Sequence, residues 1–293
     1  MDGLIQWGLP IVQWVQAFRS PMLDLIMGTT YYLGAEDFFV LFLPLIFWCI
    51  HKSLGIRLSL AFMLSNYVNL VFKGFFAAPR PYQVDNKLYA PFKTEGFGIP
   101  SGHAQGAVTF WGYVATQMKT RGWWALAIFM SLFIGIGRMY VGDHFPQDVL
   151  LGWTLGIVIV AVYAILQRRV GAWIGKQSLT LQIGLAIVIP LLLVALHPTS
   201  DAEKSMGVIL GLFALLPVEE KYICFDERTT WVKQIIKFVL GVTVIMAIRL
   251  GLKATFPEQL IFDLIRYAAM GAWASLGAPW VFVKARLAES SKQ

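Results

Sequence analysis

Three polar stretches interrupt an oily sequence, and their residue types suit the gripping of an anion beside an imidazole. In the first, Lys73 closes an apolar run and Arg80 follows between Pro79 and Pro81. Proline ends a helix and pushes the residue before it toward extended backbone. Arg80 is thereby forced out of the helix that Lys73 terminates, and two cations are fixed near one another. The second stretch is Pro100-Ser101-Gly102-His103. Ser101 is a candidate N-cap, Gly102 lets another group come up to the backbone, and free amides at a helix start suit an anion. In the third, Arg138 precedes His144, and Asp148 lies one helical turn beyond that histidine, with Pro146 in the first turn of the next helix. A carboxylate at that spacing can orient the imidazole. Three cations with helix-terminal amides are the preorganised donors that a transferring phosphoryl group needs to balance its negative charge. The three stretches hold no carboxylate cluster suited to magnesium or calcium. Cys49 and Cys224 form no CxxC pair and no His/Cys ligand spacing. No metal and no cofactor is expected, and a disulfide framework is not.

The elements that must position these residues are membrane helices. Of 293 residues, 57% are hydrophobic and 14% charged, with a mean hydropathy of +0.64, which is too apolar for a soluble domain. The net charge of +7 comes from short Lys/Arg clusters between apolar runs, not from one basic stripe, so nucleic acid is not an expected partner. A spanning helix needs about 20 apolar residues. On that measure, spans are expected at 36–51, 56–76, 101–117, 123–141 and 148–167, then at 179–196, 206–217, 232–252 and 261–283, about nine in all. The first stretch, with Trp7, Trp14, Gln6, Gln13 and Gln16 in an apolar background, reads as a helix lying in the interface. After Pro21 comes a second short helix carrying Asp24. The chain begins Met1-Asp2-Gly3 with no basic start and no small-residue cleavage site, so no removable signal peptide is read there. The expected fold class is therefore all-α: a polytopic transmembrane bundle with a short interfacial N-terminal helical segment at 1–35.

Orientation follows from the loops. Lys52, Arg57, Lys119, Arg121, Arg168, Arg169 and Lys176 fall in three alternate loops without an acid, which marks those loops as cytoplasmic. By alternation, segments 77–100 and 138–148 lie on the extracytoplasmic face, as does the N-terminus. All three polar stretches then share one membrane face. The short run 206–217 leaves the parity of the later helices open, because a re-entrant segment there would reverse it.

Lys-x6-Arg-Pro, Pro-Ser-Gly-His and Arg-x5-His-x3-Asp, in this order, resemble the signature of the type 2 phosphatidate phosphatase superfamily. That superfamily includes lipid phosphate phosphatases, undecaprenyl diphosphate phosphatases, glucose-6-phosphatases, acid phosphatases and vanadium haloperoxidases. The likeness runs from Lys73 to Asp148, and the rest of the chain matches only in helical character. It implies a catalytic transmembrane core at 36–170 and a C-terminal transmembrane extension at 171–293. It implies that His144 attacks phosphorus to form a phosphohistidine, while Asp148 holds the ring's tautomer and stabilises its charged form. His103 would protonate the leaving oxygen and then serve as base for water, a contribution of about 10²- to 10⁴-fold. Lys73, Arg80, Ser101, Gly102 and Arg138 would hold the phosphoryl oxygens. One departure stands out: where the family usually has Ser before the third-motif arginine, this chain has Gly137, which removes a hydroxyl near the site.

The implied activity is hydrolysis of a lipid phosphomonoester or diphosphate at the outer rim of the cell membrane, with the tail in the bilayer. A glucose-6-phosphatase-like hydrolase of a soluble sugar phosphate and a lipid phosphotransferase using the same site are the alternatives. A non-catalytic membrane protein such as a transporter or scaffold is a third class, set against it by the presence of every core catalytic side chain. Oligomeric state has no signal. Taken singly, Lys73 reads as a snorkelling anchor, Ser101 as an ordinary cap, and His144 with Asp148 as an interfacial pair; the three motifs in order argue against chance. His51 and His197 lack catalytic company and are read as interfacial. Trp48, Trp123, Trp124 and Trp173 are read as belt residues, and Lys233 with Lys237 as a solvated helix face. The charged loop 219–228 has no reading from sequence.

Overall fold

The computed structural model describes residues 2–257 and 259–291, so the start at Met1 lies outside the described residues. Among the described residues the fold is all-helical, as expected, apart from one isolated antiparallel bridge between Phe225 and Ser290. In chain order the helices are α1 (Asp2–Gln16), α2 (Pro21–Leu33), α3 (Glu36–Leu45), α4 (Lys52–Phe76), α5 (Pro81–Val84), α6 (Gly102–Ala107), α7 (Tyr113–Met118), α8 (Arg121–Tyr140), α9 (Pro146–Ile174), α10 (Leu179–Leu196), α11 (Ser200–Tyr222), α12 (Trp231–Thr255), α13 (Leu260–Ala272) and α14 (Ala278–Lys284). Single π turns continue α3, join α6 to α7 and join α13 to α14.

Among the described residues, five helical stretches are long and apolar enough to cross a membrane, Lys52–Val84, Arg121–Tyr140, Pro146–Ile174, Leu179–Leu196 and Trp231–Thr255, or six if the bent pair α2 and α3 makes one span. This is fewer than the nine expected, and the chemistry of the remaining runs explains it. The run expected at 101–117 is a continuous but short helical stretch, Gly102 to Met118, and the run at 261–283 is continuous but carries Asp263 and Arg266. The run at 206–217 is the middle of α11, whose ends carry Asp201, Glu203, Lys204, Glu219, Glu220 and Lys221.

The chain forms two compact units, one of Met1–Phe39 with Val68–Ile165, the other of Val40–Tyr67 with Leu166–Gln293. In the first, α1 and α2 pack on α8, and α6 with its π turn packs on α8 and α9. Close approach is set by small residues: a Cβ on Gly152 of α9 would stand 2.6 Å from the carbonyl oxygen of Ser101. α1 also holds the long connection between α5 and α6. Gln16 donates to the carbonyls of Tyr89 and Tyr140, each at 2.9 Å, and accepts from the Tyr89 amide at 3.0 Å. The Arg19 guanidinium lies 3.5 Å over the Tyr89 ring.

In the second unit, α11 runs antiparallel to the first part of α4. Lys52 Nζ meets Glu219 Oε2 at 2.6 Å at one end, and Asn66 Nδ2 meets Ser205 Oγ at 2.7 Å further along. α13 packs on α11 so closely that a Cβ on Gly211 would fall 1.9 Å from the Ala268 oxygen, the contact that lets helix backbones touch where lipid offers no hydrophobic drive. Two expectations are corrected here. Trp48 is no belt residue: it is fully buried and donates to the Ala274 carbonyl at 2.9 Å. Lys237 is not on a solvated face: it too is fully buried, its ammonium donating to the carbonyls of Trp48 and Glu227 at 2.9 Å. The loop 219–228 thereby gains a role. Glu219 accepts from Lys52 and from the Phe225 amide, so the loop's charges hold it against the start of α4 and against α12. Cys49 and Cys224 are free thiols.

Candidate active site

The site lies in the first unit. Arg80 is placed by its local sequence: the chain leaves α4 through Ala77 in the left-handed region, φ 44°, and Pro81 then opens α5 with Arg80 as its N-cap. The Arg80 amide donates to Gln83 Oε1 at 2.8 Å, which fixes the backbone on both sides of the guanidinium. That guanidinium is 3% exposed. Its Nε and Nη2 donate to the carbonyls of Gly96 and Glu95, at 3.1 and 3.2 Å, so the connecting loop wraps it. Nη1 points the other way, toward His144 Nε2 at 3.3 Å. Lys73, in the last turn of α4, donates to the carbonyls of Phe97 and Gly98 at 2.6 and 3.2 Å, tying the same loop to its helix.

His144 lies in the turn between α8 and α9 and is 2% exposed. Its Nδ1 is 3.2 Å from Asp148 Oδ2, and that oxygen also accepts from the Phe145 amide at 2.9 Å. Nδ1 faces the Asp148 carboxylate and takes the proton, which leaves the lone pair of the neutral ring on Nε2, toward Arg80. Burial holds the imidazole well below the ordinary histidine value, and the cations Arg80, Lys73 and Arg138 push it further down. At neutral pH the ring is uncharged, with the lone pair of Nε2 facing Arg80. Asp148 is tied to the second motif as well, since its carbonyl accepts from the Ser101 amide at 2.9 Å. Ser101 caps α6, its hydroxyl accepting from the Ala104 amide at 3.4 Å. Gly102 beside it faces Asn69, whose Oδ1 would be 3.2 Å from an added Cβ.

Arg138 ends α8, fully buried, with the Tyr31 ring 5.6 Å from its guanidinium. Its Nη2 hydrogen-bonds Asp143 Oδ2, while Nε and Nη1 are buried with no hydrogen-bond partner among the described residues. Buried unmatched donors on a charged group are costly, and here they belong to an arginine that shares Asp143 Oδ2 with Arg80. His103 stands one aromatic ring away: its Nε2 is 3.1 Å from the Tyr31 carbonyl oxygen, and its ring stacks with that of Tyr31. A carbonyl only accepts, so Nε2 of His103 carries hydrogen. The structure thus joins His144, Asp148, Arg80 and Arg138 by direct contact, or through Asp143, and brings Ser101, His103 and Lys73 in through the loops and α2. Among the described residues no cluster of three His, Cys, Asp or Glu side chains is arranged to hold a metal ion.

Sequence reasoning missed two parts of this site. Asp143 is fully buried between the arginines, 2.8 Å from Arg80 Nη1 and 3.4 Å from His144 Nε2. An acid beside the key histidine in a chain with so few charges was the available signal. The other is α2. A Cβ on Gly137 would fall 2.4 Å from both Oγ1 and Cγ2 of Thr30, so the Thr30 side chain fills the notch left by Gly137. A Cβ on Gly34 would fall 2.2 Å from Cδ2 of His103, so His103 fills that one. No motif in α2 announced this.

Residues 54–171 match the PAP2 superfamily, and residues 203–290 match the PAP2 superfamily phosphatase transmembrane extension. The chain is similar to lipid phosphate phosphatase delta of Arabidopsis thaliana, 25% identical over 75% of this chain and 58% of the relative. It is also similar to a probable sphingosine-1-phosphate phosphatase of Dictyostelium discoideum, 28% identical over 54% of this chain and 41% of the relative. It therefore spans about half the length of the curated relatives it matches. Among solved structures, Aquifex aeolicus LpxE superposes with a TM-score of 0.50 at 26% identity, covering 54% of this chain and 94% of LpxE. The three motifs, the helices that carry them and the helices that follow all point the same way: this multi-pass membrane protein carries a PAP2 superfamily domain followed by the transmembrane extension of PAP2 superfamily phosphatases.

Proposed function

We propose that this protein is a membrane phosphatase that hydrolyses a lipid phosphomonoester or diphosphate through a phosphohistidine on His144, without a metal ion. The observation that carries the proposal is the buried imidazole whose Nδ1 is held by Asp148 while Nε2 faces Arg80, beside the unmatched donors of Arg138. The lone pair of Nε2 attacks phosphorus, and the bond from phosphorus to the leaving oxygen breaks. Arg80, Arg138 and Lys73, with Ser101 and Gly102 at the start of α6, balance the charge on the phosphoryl oxygens. His103, as an imidazolium favoured by the negative charge of the bound phosphoryl group, gives its proton to the leaving oxygen and is left neutral. It then takes a proton from water as that water attacks phosphorus, the N–P bond breaks, and phosphate leaves with His144 restored. Asp148 stabilises the ring while it bears positive charge.

Catalysis is assigned to 36–170, and 171–293 is the extension that shapes access to the bilayer. Nine spans with the site on the extracytoplasmic face is the proposed layout. The antiparallel run of α11 beside α4 supports counting α11 as a crossing: its 23 residues reach about 34 Å at 1.5 Å each, against a hydrocarbon core of about 30 Å. The lipid substrate is supported by relatives named as lipid phosphate and sphingosine-1-phosphate phosphatases.

The test is phosphate release in detergent micelles, in the presence of chelator, from phosphatidate, a sphingoid base phosphate, a polyprenyl diphosphate and glucose 6-phosphate. A lipid is expected to be preferred, with His144→Ala reducing turnover by at least about 10³-fold. Unchanged turnover in His144→Ala overturns the mechanism, strict dependence on divalent metal overturns its metal independence, and preference for the sugar phosphate overturns the substrate class. Added alcohol acceptors separate hydrolysis from transfer.

A further inference from the structure

We propose that Asp143 sets how tightly the site holds anions: its Oδ2 occupies the place of a reacting phosphoryl oxygen, and every phosphate must displace it. This rests on the phosphatase reading and adds a specificity-determining residue to it.

Oδ2 accepts from Arg80 Nη1 at 2.8 Å and from Arg138 Nη2, and it lies 3.4 Å from His144 Nε2. Those are the contacts that an oxygen of a phosphoryl group would take in front of this nucleophile. The carboxylate fills this place poorly. Its own Oδ1 is buried without a hydrogen bond, while Arg138 keeps Nε and Nη1 unmatched beside it. Acceptor and donors are thus left over together, which a flat two-oxygen carboxylate cannot mend and a tetrahedral anion with three terminal oxygens can. A half-satisfied buried network is the kind that yields to a better ligand.

The consequence falls on product release. A carboxylate within reach of a second anion disfavours that anion by like-charge repulsion. A lipid substrate also has its tail in the bilayer to oppose the displacement, whereas inorganic phosphate has only these side chains. The carboxylate therefore returns to the arginines once the N–P bond breaks and expels phosphate.

The experiment compares inhibition by inorganic phosphate and orthovanadate in wild-type protein, Asp143→Asn, Asp143→Ser and Arg80→Gln, with thermal melting of each in detergent. Both Asp143 variants are expected to bind phosphate about tenfold or more tightly, with turnover slowed as release becomes limiting, while Arg80→Gln binds it more weakly. Unchanged or weaker phosphate inhibition in the Asp143 variants, with Arg80→Gln weakened, overturns the proposal, because Asp143 would then only tie the arginines together. Loss of a folded transition in both Asp143 variants overturns it for the same reason. Failure of the phosphatase reading is recognised separately: wild-type protein and His144→Ala would release the same phosphate, and Arg80→Gln would leave oxyanion inhibition unchanged.

Discussion

The proposed role of His144 as nucleophile requires an unprotonated Nε2, and three cations within the first unit favour that state. Burial and the charges of Arg80, Lys73 and Arg138 lower its pKa well below 6.5. The sign is fixed by the charge involved: a lowered pKa means that the proton leaves at lower pH, so the free lone pair persists through mildly acidic conditions. The acid limb of the kcat/KM profile is expected below pH 6.5, and Arg80→Gln, which removes one of those cations, moves that limb upward. A pH–rate series on both proteins checks this; an acid limb at or above 6.5 in the wild type, or a downward move in the variant, refutes it. Asp148 acts on the same ring from the other side, by holding Nδ1–H. Asp143 faces Nε2, so two carboxylates bracket one imidazole at its two nitrogens.

At the scale of elements, α2 is the part whose importance grew most between sequence and structure. It carries no motif, yet its Tyr31 carbonyl holds His103, its Tyr31 ring covers Arg138, and Thr30 fills the gap beside Arg138. The missing hydroxyl at Gly137 is thus matched by a hydroxyl from another helix, one that donates to its own Met27 carbonyl at 2.6 Å. Because the notch is full, Gly137→Ser overpacks it, at about 1 to 3 kcal/mol, and displaces Arg138. We expect Gly137→Ser alone to lower both melting temperature and turnover. Thr30→Gly combined with Gly137→Ser should recover most of the turnover, since the blocking atoms are gone, although glycine inside α2 costs about 1 kcal/mol. A double-mutant cycle in activity and melting measures the interaction. If Gly137→Ser is as active and stable as wild type, the two side chains do not compete for that space.

For the whole molecule, the open quantity is which ends of the helices face which side. Loop charge predicts that the connection carrying Arg80 is extracytoplasmic and that the α7–α8 and α9–α10 connections are cytoplasmic. Lys87, Lys119 and Lys176 are exposed in these three places. In a background with Cys49 and Cys224 replaced, Lys87→Cys should react with an impermeant maleimide on intact cells. Lys119→Cys and Lys176→Cys should react only after permeabilisation. Labelling of all three from one side would defeat the alternation on which the site's sidedness depends. The second unit has its own internal order. Its buried pairs, Lys52 with Glu219 and Lys237 with two carbonyls, hold the charged loop 219–228 in place at one end of α11 and α12. This explains in physical terms why so polar a loop belongs to so apolar a chain.

What the amino-acid order determined unaided was local or cumulative. Long apolar runs make membrane helices because every backbone group in lipid must be bonded within its own segment. Prolines on both sides of Arg80, a serine cap at Ser101, and a carboxylate one turn from His144 are rules of a few residues' reach, so the motifs and their elements were legible. The span count was less so, because a short run such as 101–117, or one with charges at its ends such as α11, sits at the margin of the length and apolarity that a crossing needs. Only the tertiary structure decided that Asp143 lies between Arg80 and Arg138, that Thr30 stands in for a side chain at Gly137, and that Trp48 and Lys237 are buried and not at a surface. These are meetings in space between residues far apart in the chain. They depend on helix packing, which no periodicity encodes.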